Sequence, residues 1–380
     1  MKIIIAAPAW PYRGGIAEFS NRIGREFKDE GHDAEIFTFT LQYPGFLFPG
    51  KTQYNDAPPP QGVKITRVIN SVNPLNWLAT GRKIRKLAPD ILLLRFWLPF
   101  MGPALGTIAR IARSKKTKVI CIFDNVVPHE KRPGDAILTK YLVKSIDGAI
   151  VMAGSVGRDL QVFRKDIPVE YNPHPIYDNY GIPVSRNEAL SSLNLSHEPD
   201  YLLFFGFVRA YKGLDILIEA LSDERLRGRN IKLLVAGEFY EDIARYRELV
   251  RKHNLEEKII FYDRFIKDDE VAAYFSAADI VVQPYKSATQ SGVTQIAYHF
   301  EKPMLVTDVG GLKEIVPDKK CGYVVNPDPK SIADALADYF TNNRKDGFTQ
   351  CVREEKKRFG WDRMVGTMME LYERITGTGT

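Results

Sequence analysis

Two cations stand three positions apart in the segment GFVRAYKG, residues 206–213: Arg209 and Lys212, between Gly206 and Gly213. A guanidinium and an ammonium at that spacing can bracket a diphosphate and neutralise the charge that grows on it as it leaves. Solvated surface charge is the ordinary fate of Arg and Lys, and the spacing alone leaves that reading open. A second glycine segment, RGGI, carries Gly14 and Gly15 ahead of an apolar-periodic run. There a backbone can come close to phosphate and meet the unpaired N–H groups and positive dipole end of a helix. The third glycine of a dinucleotide fingerprint is missing, and a tight turn without a ligand also explains a lone Gly-Gly.

Both segments fall between a strand signal and a helix signal. Residues 2–7 (KIIIAA) read as a strand and 16–29 as a helix closed by Gly31. Further buried strands are expected at 91–94, 119–123 and 149–152, with helices at 103–112 and 136–145. This alternation demands a parallel sheet with helices on both faces. Residues 171–183 (YNPHPIYDNYGIP) are crowded with Pro, Asn, Asp and Gly, which blocks continuous helix or strand and marks a boundary. The alternation then restarts, with strands at 201–205, 231–236, 259–262, 280–284 and 303–307. Helices are expected between them at 213–221, 243–253 and 270–277, and after them at 329–341. The reading is an α/β chain with an N-terminal domain over 1–175, a C-terminal domain over 176–360 and a helix over 361–380 returning to the first domain. A ligand is expected in the cleft that the two domains face, outside the carboxyl ends of the strands.

Bulk properties narrow the class. A chain of 380 residues with 44% hydrophobic content exceeds the size at which one core keeps growing. Its net charge of +6 suits phosphate-bearing ligands and is far below the clustered basicity of a nucleic-acid binder. Cys121, Cys321 and Cys351 are odd in number and widely spaced, so neither a disulfide nor a zinc site is expected, and a reducing compartment fits. The first residues read as a strand rather than a secretory signal, and the apolar run 96–108 is broken by Pro99 and Pro103, too short to span a bilayer.

Taken in order, residues 14–17, 206–213 with LIEA at 217–220, Ala278-Asp279, and PMLVTDVGGLKE at 303–314 resemble the family-4 glycosyltransferases of GT-B fold. The resemblance covers nearly the whole chain. It implies two Rossmann-like parallel-sheet domains, a nucleoside diphosphate sugar as donor held mainly by the C-terminal domain, and an acceptor held mainly by the N-terminal one. It also implies transfer with retention and no metal or other cofactor. By position, Lys212 matches the family's diphosphate lysine. Arg209 stands apart from its usual place, which Phe207 occupies. Glu238, Phe239 and Tyr240 line the nucleotide side of the cleft, and Phe265 and Ile266 belong to the segment that meets the nucleobase. Ordinary core packing of these aromatics stays open.

Two departures matter. Glutamates that the family places near the donor sugar and ribose align with Ala288 and Ile296. Neutral groups must replace them, and Thr289, Gln290, Ser291, Thr294 and Gln295 are the candidates, while the backbone of Ser291, Gly292, Val293 and Thr294 opens a helix able to hold phosphate. A polar helix cap is the competing reading. In FDNVVPHE, Asp124 stands where the family has a histidine beside the donor sugar. An ionised Asp only accepts hydrogen bonds, so it would hold a donor hydroxyl or orient the acceptor, with Asn125 and His129 as acceptor-side neighbours. Asp124, Arg209 and Lys212 are the expected catalytic residues. His174, between two prolines, reads as structural.

Basic residues near aromatics, at 73–77, 82–86 and 95–101, suit contact with an anionic membrane surface and a lipid-linked acceptor. The expectation is a cytoplasmic, peripheral enzyme that moves a sugar to a glycan or lipid-linked acceptor in cell-surface polysaccharide or glycolipid synthesis. A noncatalytic nucleotide-sugar-binding protein and a sugar-nucleotide epimerase are the alternatives.

Overall fold

The computed structural model describes residues 1–45, 53–54, 58–127, 132–288 and 291–377. Among the candidates above, His129, Thr289 and Gln290 lie outside these described residues. The chain divides into two compact units: Met1–Pro173 together with Trp361–Thr380, and His174–Gly360.

The first unit contains β1 (Lys2–Ala6), β2 (Asp33–Leu41), β3 (Lys64–Asn70), β4 (Ile91–Phe96), β5 (Lys118–Phe123), β6 (Gly148–Val151) and β7 (Val169–Tyr171). They form one sheet in the order β3-β2-β1-β4-β5-β6-β7, parallel at every pairing. Runs such as KIIIA and ILLLRF are apolar on both faces because both faces are covered. Ile4, Leu92, Leu94 and Cys121 pack with Ile84, Leu105 and Ile108 of the helices Pro74–Leu87 and Gly102–Ala112. Ile3, Ile5, Leu93 and Ile122 pack on the other side with Phe19 and Ile23 of the helix Gly15–Asp29. The final helix, Trp361–Thr376, joins that second layer through Trp361, Met364, Val365, Met368 and Leu371, an apolar stripe at helical spacing.

The second unit contains β8 (Asp200–Phe205), β9 (Ile231–Ala236), β10 (Ile259–Tyr262), β11 (Ile280–Gln283), β12 (Met304–Thr307) and β13 (Gly322–Val325). Its parallel order is β10-β9-β8-β11-β12-β13. Buried Asp279 accepts from the Tyr201 N–H at 2.7 Å and pairs with Arg186 at 3.2 Å and with Lys345. The Ala278-Asp279 motif thus ties the starts of β8 and β11 together. In each sheet the strand order reverses once beside the first strand, between β1 and β4 and between β8 and β11, and ligands of open α/β sheets bind at the carboxyl ends next to such a reversal.

Three features differ from the sequence expectations. Strands β2, β3, β7 and β13 are additional: β3, β7 and β13 are sheet edges or short, and β2 is interleaved with Thr and Glu, so none carries a continuous apolar run. Cys321 and Cys351 form a disulfide with Cα atoms 5.1 Å apart, because the helix Lys345–Glu355 returns beside the start of β13. Spacing in sequence carries no sign of that return. Finally, the stretch 95–101 is not a basic-aromatic surface. Arg95, Phe96 and Met101 are buried, and the Trp97 indole donates to the Tyr43 hydroxyl at 2.6 Å. A basic surface lies instead on the outer face of the helix Pro74–Leu87, where Leu75 is 76% exposed and Arg82, Lys83, Arg85 and Lys86 are exposed, while the Trp77 indole turns inward to the Asn70 carbonyl. No helix among the described residues is long and apolar enough to cross a membrane.

Candidate active site

In the second unit the loop after β8 is shaped by its glycines. Gly213 has φ +68°, and a Cβ there would lie 1.9 Å from the Pro284 carbonyl oxygen, so only glycine lets this loop lie against the end of β11. Gly206 has φ +92°, and a Cβ there would meet the Lys212 Nζ at 3.0 Å and Val293 Cγ2 at 3.8 Å. Those distances put the Lys212 ammonium, the Gly206 backbone and the start of the helix Gly292–His299 at one place.

Lys212 is 9% exposed, and among the described residues its ammonium has no ion pair or hydrogen bond; its nearest recorded partner is the Tyr285 ring, 5.6 Å away. Burial, and then the neighbouring Arg209 charge, pull its pKa down to about 8. A buried cation without a counter-charge is costly unless an anion completes it. Arg209 is exposed, with its guanidinium 4.8 Å from the centre of the Tyr240 ring. Glu241 pins this loop: its carboxylate accepts from the Ala210 N–H at 2.5 Å and from the Tyr246 hydroxyl at 3.1 Å.

Tyr240 stacks on Phe207 at 4.8 Å between centroids and 19° between planes, and Phe265 lies 6.3 Å from Phe207. All three rings are exposed. Phe239 and Ile266 do not share that surface. Phe239 packs edge-on against Tyr246 and Phe261 and meets the loop through its backbone bridge to Val208, and Ile266 is buried in the core. The Glu238 carbonyl accepts from the Val208 N–H at 2.9 Å, which holds the two loops side by side.

At the start of the helix Gly292–His299 the Ser291 side chain makes no capping bond. Its hydroxyl lies 3.4 Å from that of Tyr285 instead, so the first N–H groups of the helix are left to other partners. Thr294 is buried and donates to Gln283 at 3.2 Å, which withdraws it from the surface. Ile296 is buried in the core and Ala288 packs against it, so carboxylates are replaced there by apolar packing.

The first unit holds the other candidates. Gly14, at φ +103°, precedes the helix Gly15–Asp29 without a side-chain cap, and a Cβ there would meet nothing within 4 Å. Asp124 follows β5, its N–H donating to the Phe96 carbonyl at 2.9 Å, with half-buried Asn125 beside it. Both Asp124 oxygens are occupied: Arg95 donates Nε to Oδ2 at 2.8 Å and Nη2 to Oδ1 at 2.7 Å. Sequence reasoning placed Arg95 on the surface and assigned no role to Tyr285 or Glu241. The one signal for Arg95 was a lone charge within the apolar run of β4.

Residues 199–342 match the family described as "Glycosyl transferases group 1". A D-inositol 3-phosphate glycosyltransferase of Xylanimonas cellulosilytica is 26% identical over 225 residues, 58% of this chain and 50% of that protein. The chain spans about half the length of the curated relatives it matches. Among solved structures, sucrose-phosphate synthase from Thermosynechococcus elongatus superposes with a TM-score of 0.73 at 18% identity, covering all of both chains. The Anabaena protein HepE, solved with UDP-glucose, gives 0.72 at 14% identity over 99% of this chain and 100% of that one. Residues 199–342 thus match the family described as glycosyl transferases group 1, and the two parallel α/β units have the GT-B fold of these solved structures.

Proposed function

We propose that the protein transfers a sugar, with retention, from a nucleoside diphosphate sugar to a glycan or lipid-linked acceptor, in the assembly of cell-surface polysaccharide or glycolipid. The observation that carries this reading is the buried Lys212 ammonium, without a counter-charge among the described residues, beside the start of the helix Gly292–His299, where Ser291 makes no side-chain capping bond. Both favour a diphosphate, and both gain as negative charge grows on it when the sugar leaves. Arg209 adds a second positive charge, and the Phe207, Tyr240 and Phe265 rings offer faces for a base. HepE, a fold neighbour, was solved with UDP-glucose, which supports a donor of this class. The leaving phosphate oxygen takes the acceptor proton, so Asp124 is not needed as a base. Its two oxygens are engaged by Arg95, which suits a positional role and not nucleophilic attack. Side-chain cations and a helix start supply the positive charge, and we assign no metal to the reaction.

The packing of Ala288 and Ile296 into the core favours one competing reading, a binding protein without turnover. Thermal shift with uridine, guanosine and thymidine diphosphates, followed by product analysis with the matching nucleotide sugars, separates the two. Transferred or hydrolysed sugar is expected. Binding with no turnover of any donor would establish the competing reading, and an epimerised donor would make the protein an isomerase. The outer face of the helix Pro74–Leu87 supports peripheral contact with anionic lipid, and cosedimentation with phosphatidylglycerol vesicles, lost in Arg82→Glu/Lys86→Glu, is the expected result.

A further inference from the structure

We propose that Arg95 is a positioning residue that locks Asp124 and the first turn of the helix Gly15–Asp29 into one unit, and this rests on the transferase reading above. Arg95 lies at the carboxyl end of β4, which pairs with β1 on one side and β5 on the other. Side chains alternate along a strand, so Arg95 shares a face with Ile91 and Leu93, which pack against Ile3, Ile5, Ile120 and Ile122. A guanidinium in that company, with its side chain only 4% exposed, is not what packing alone selects.

Three contacts account for it. The fork meets both oxygens of Asp124, the planar geometry that a lysine cannot reproduce. The guanidinium carbon sits 3.9 Å from the centre of the Phe19 ring in the second turn of the helix. Its remaining nitrogen, Nη1, points to the Ile16 carbonyl at 3.5 Å, in the first turn. One side chain therefore touches Asp124 and the first two turns of the helix that follows the glycine turn, and both segments carry candidate site residues. A buried ion pair adds little stability over apolar residues of the same volume, so stability by itself gives no reason for the pair. Orientation does, because misplacing a contacting group by an ångström is enough to cost ~100-fold in rate.

The test uses Arg95→Lys, which keeps the charge and loses the fork, and Asp124→Asn, a milder change in case the first variant does not fold. Amide hydrogen exchange is followed at residues 15–19 and 122–127 of the full chain, with no substrate present. Locking predicts faster exchange at both segments in either variant, although the hydrogen bonds of Asp124 among the described residues go to Arg95 and the Phe96 carbonyl and not to the helix. With the donor found by the screen, Arg95→Lys is expected to lose ~100-fold in kcat per folded molecule while the nucleoside diphosphate Kd stays within about twofold of wild type. Wild-type kcat per folded molecule, or exchange that changes at only one of the two segments, overturns the proposal. A wild-type protein that turns over no donor removes the transferase reading alone, because the exchange result is read without substrate and still decides whether Arg95 joins the two segments.

Discussion

The two units place candidate residues at corresponding points of similar sheets and treat charge there in opposite ways. Beside the β1–β4 reversal, the Arg95 guanidinium is buried and both its partner oxygens are satisfied within the unit. Beside the β8–β11 reversal, the Lys212 ammonium is nearly as buried and has no counter-charge among the described residues. A closed pair is complete without ligand and can hold a shape, whereas an open cation is completed only by an incoming anion. On the proposed reading, the second unit binds negative charge and the first orients.

The largest effect expected from breaking this division is at Lys212. Lys212→Ala removes a preorganised charge aimed at the leaving diphosphate and should cost about 2.7–4 kcal/mol of transition-state stabilisation, read as kcat in steady-state transfer assays. Arg209→Ala should cost less, since Arg209 is solvated. Wild-type rates in Lys212→Ala at both saturating and limiting donor would remove the lysine from the site.

Next in size is Asp124. The Ala variant loses the contact and leaves the Arg95 charge unpaired, so most activity should go. Asn keeps an acceptor oxygen and should retain an appreciable fraction. Equal inactivity of both, with a sugar trapped covalently on Asp124 in the wild type, would make it a nucleophile and undo the contrast.

A smaller effect follows from the Lys212 pKa of about 8, lowered first by burial and then by Arg209. As pH rises through 8 the free protein loses this cation, so nucleoside diphosphate Kd should increase above that pH, and Lys212→Arg should move the limb upward. The stability effect has the opposite sign. Between about pH 8 and the ordinary lysine range the unfolded chain holds more protons than the folded one, so folding stability rises with pH there. A pH-independent Kd from 7 to 9.5 would show that the ammonium does not meet the ligand. The smallest effect is the one expected from EDTA, which should leave transfer intact; complete loss restored by magnesium or manganese would show that side-chain charge is insufficient.

Much of the fold was legible because its internal strands are continuous apolar runs and its glycine loops interrupt them at regular intervals. Edge and mixed strands such as β3, β7 and β13 were not, since exposure dilutes the pattern that marks a strand. Within the site, Lys212 and Gly206 were legible from spacing, and the structure brings them together. Phe239 and Tyr240 are neighbours in sequence, yet the first enters the core and the second lies exposed beside Phe207 and Arg209. Adjacent residues leave a loop in different directions, which no motif records.

By itself the sequence determined the alternation of strand and helix, the two-unit plan and the family pattern, because these depend on local periodicity and on glycines whose backbone geometry is their own. Only the tertiary structure decided what each charge meets. Arg95 reads as a surface cation until β5 brings Asp124 to its fork, and Cys321 and Cys351 read as unrelated until a helix returns one to the other. Partners 29 and 30 residues apart are chosen by sheet register and helix packing, and those are properties of the assembled chain.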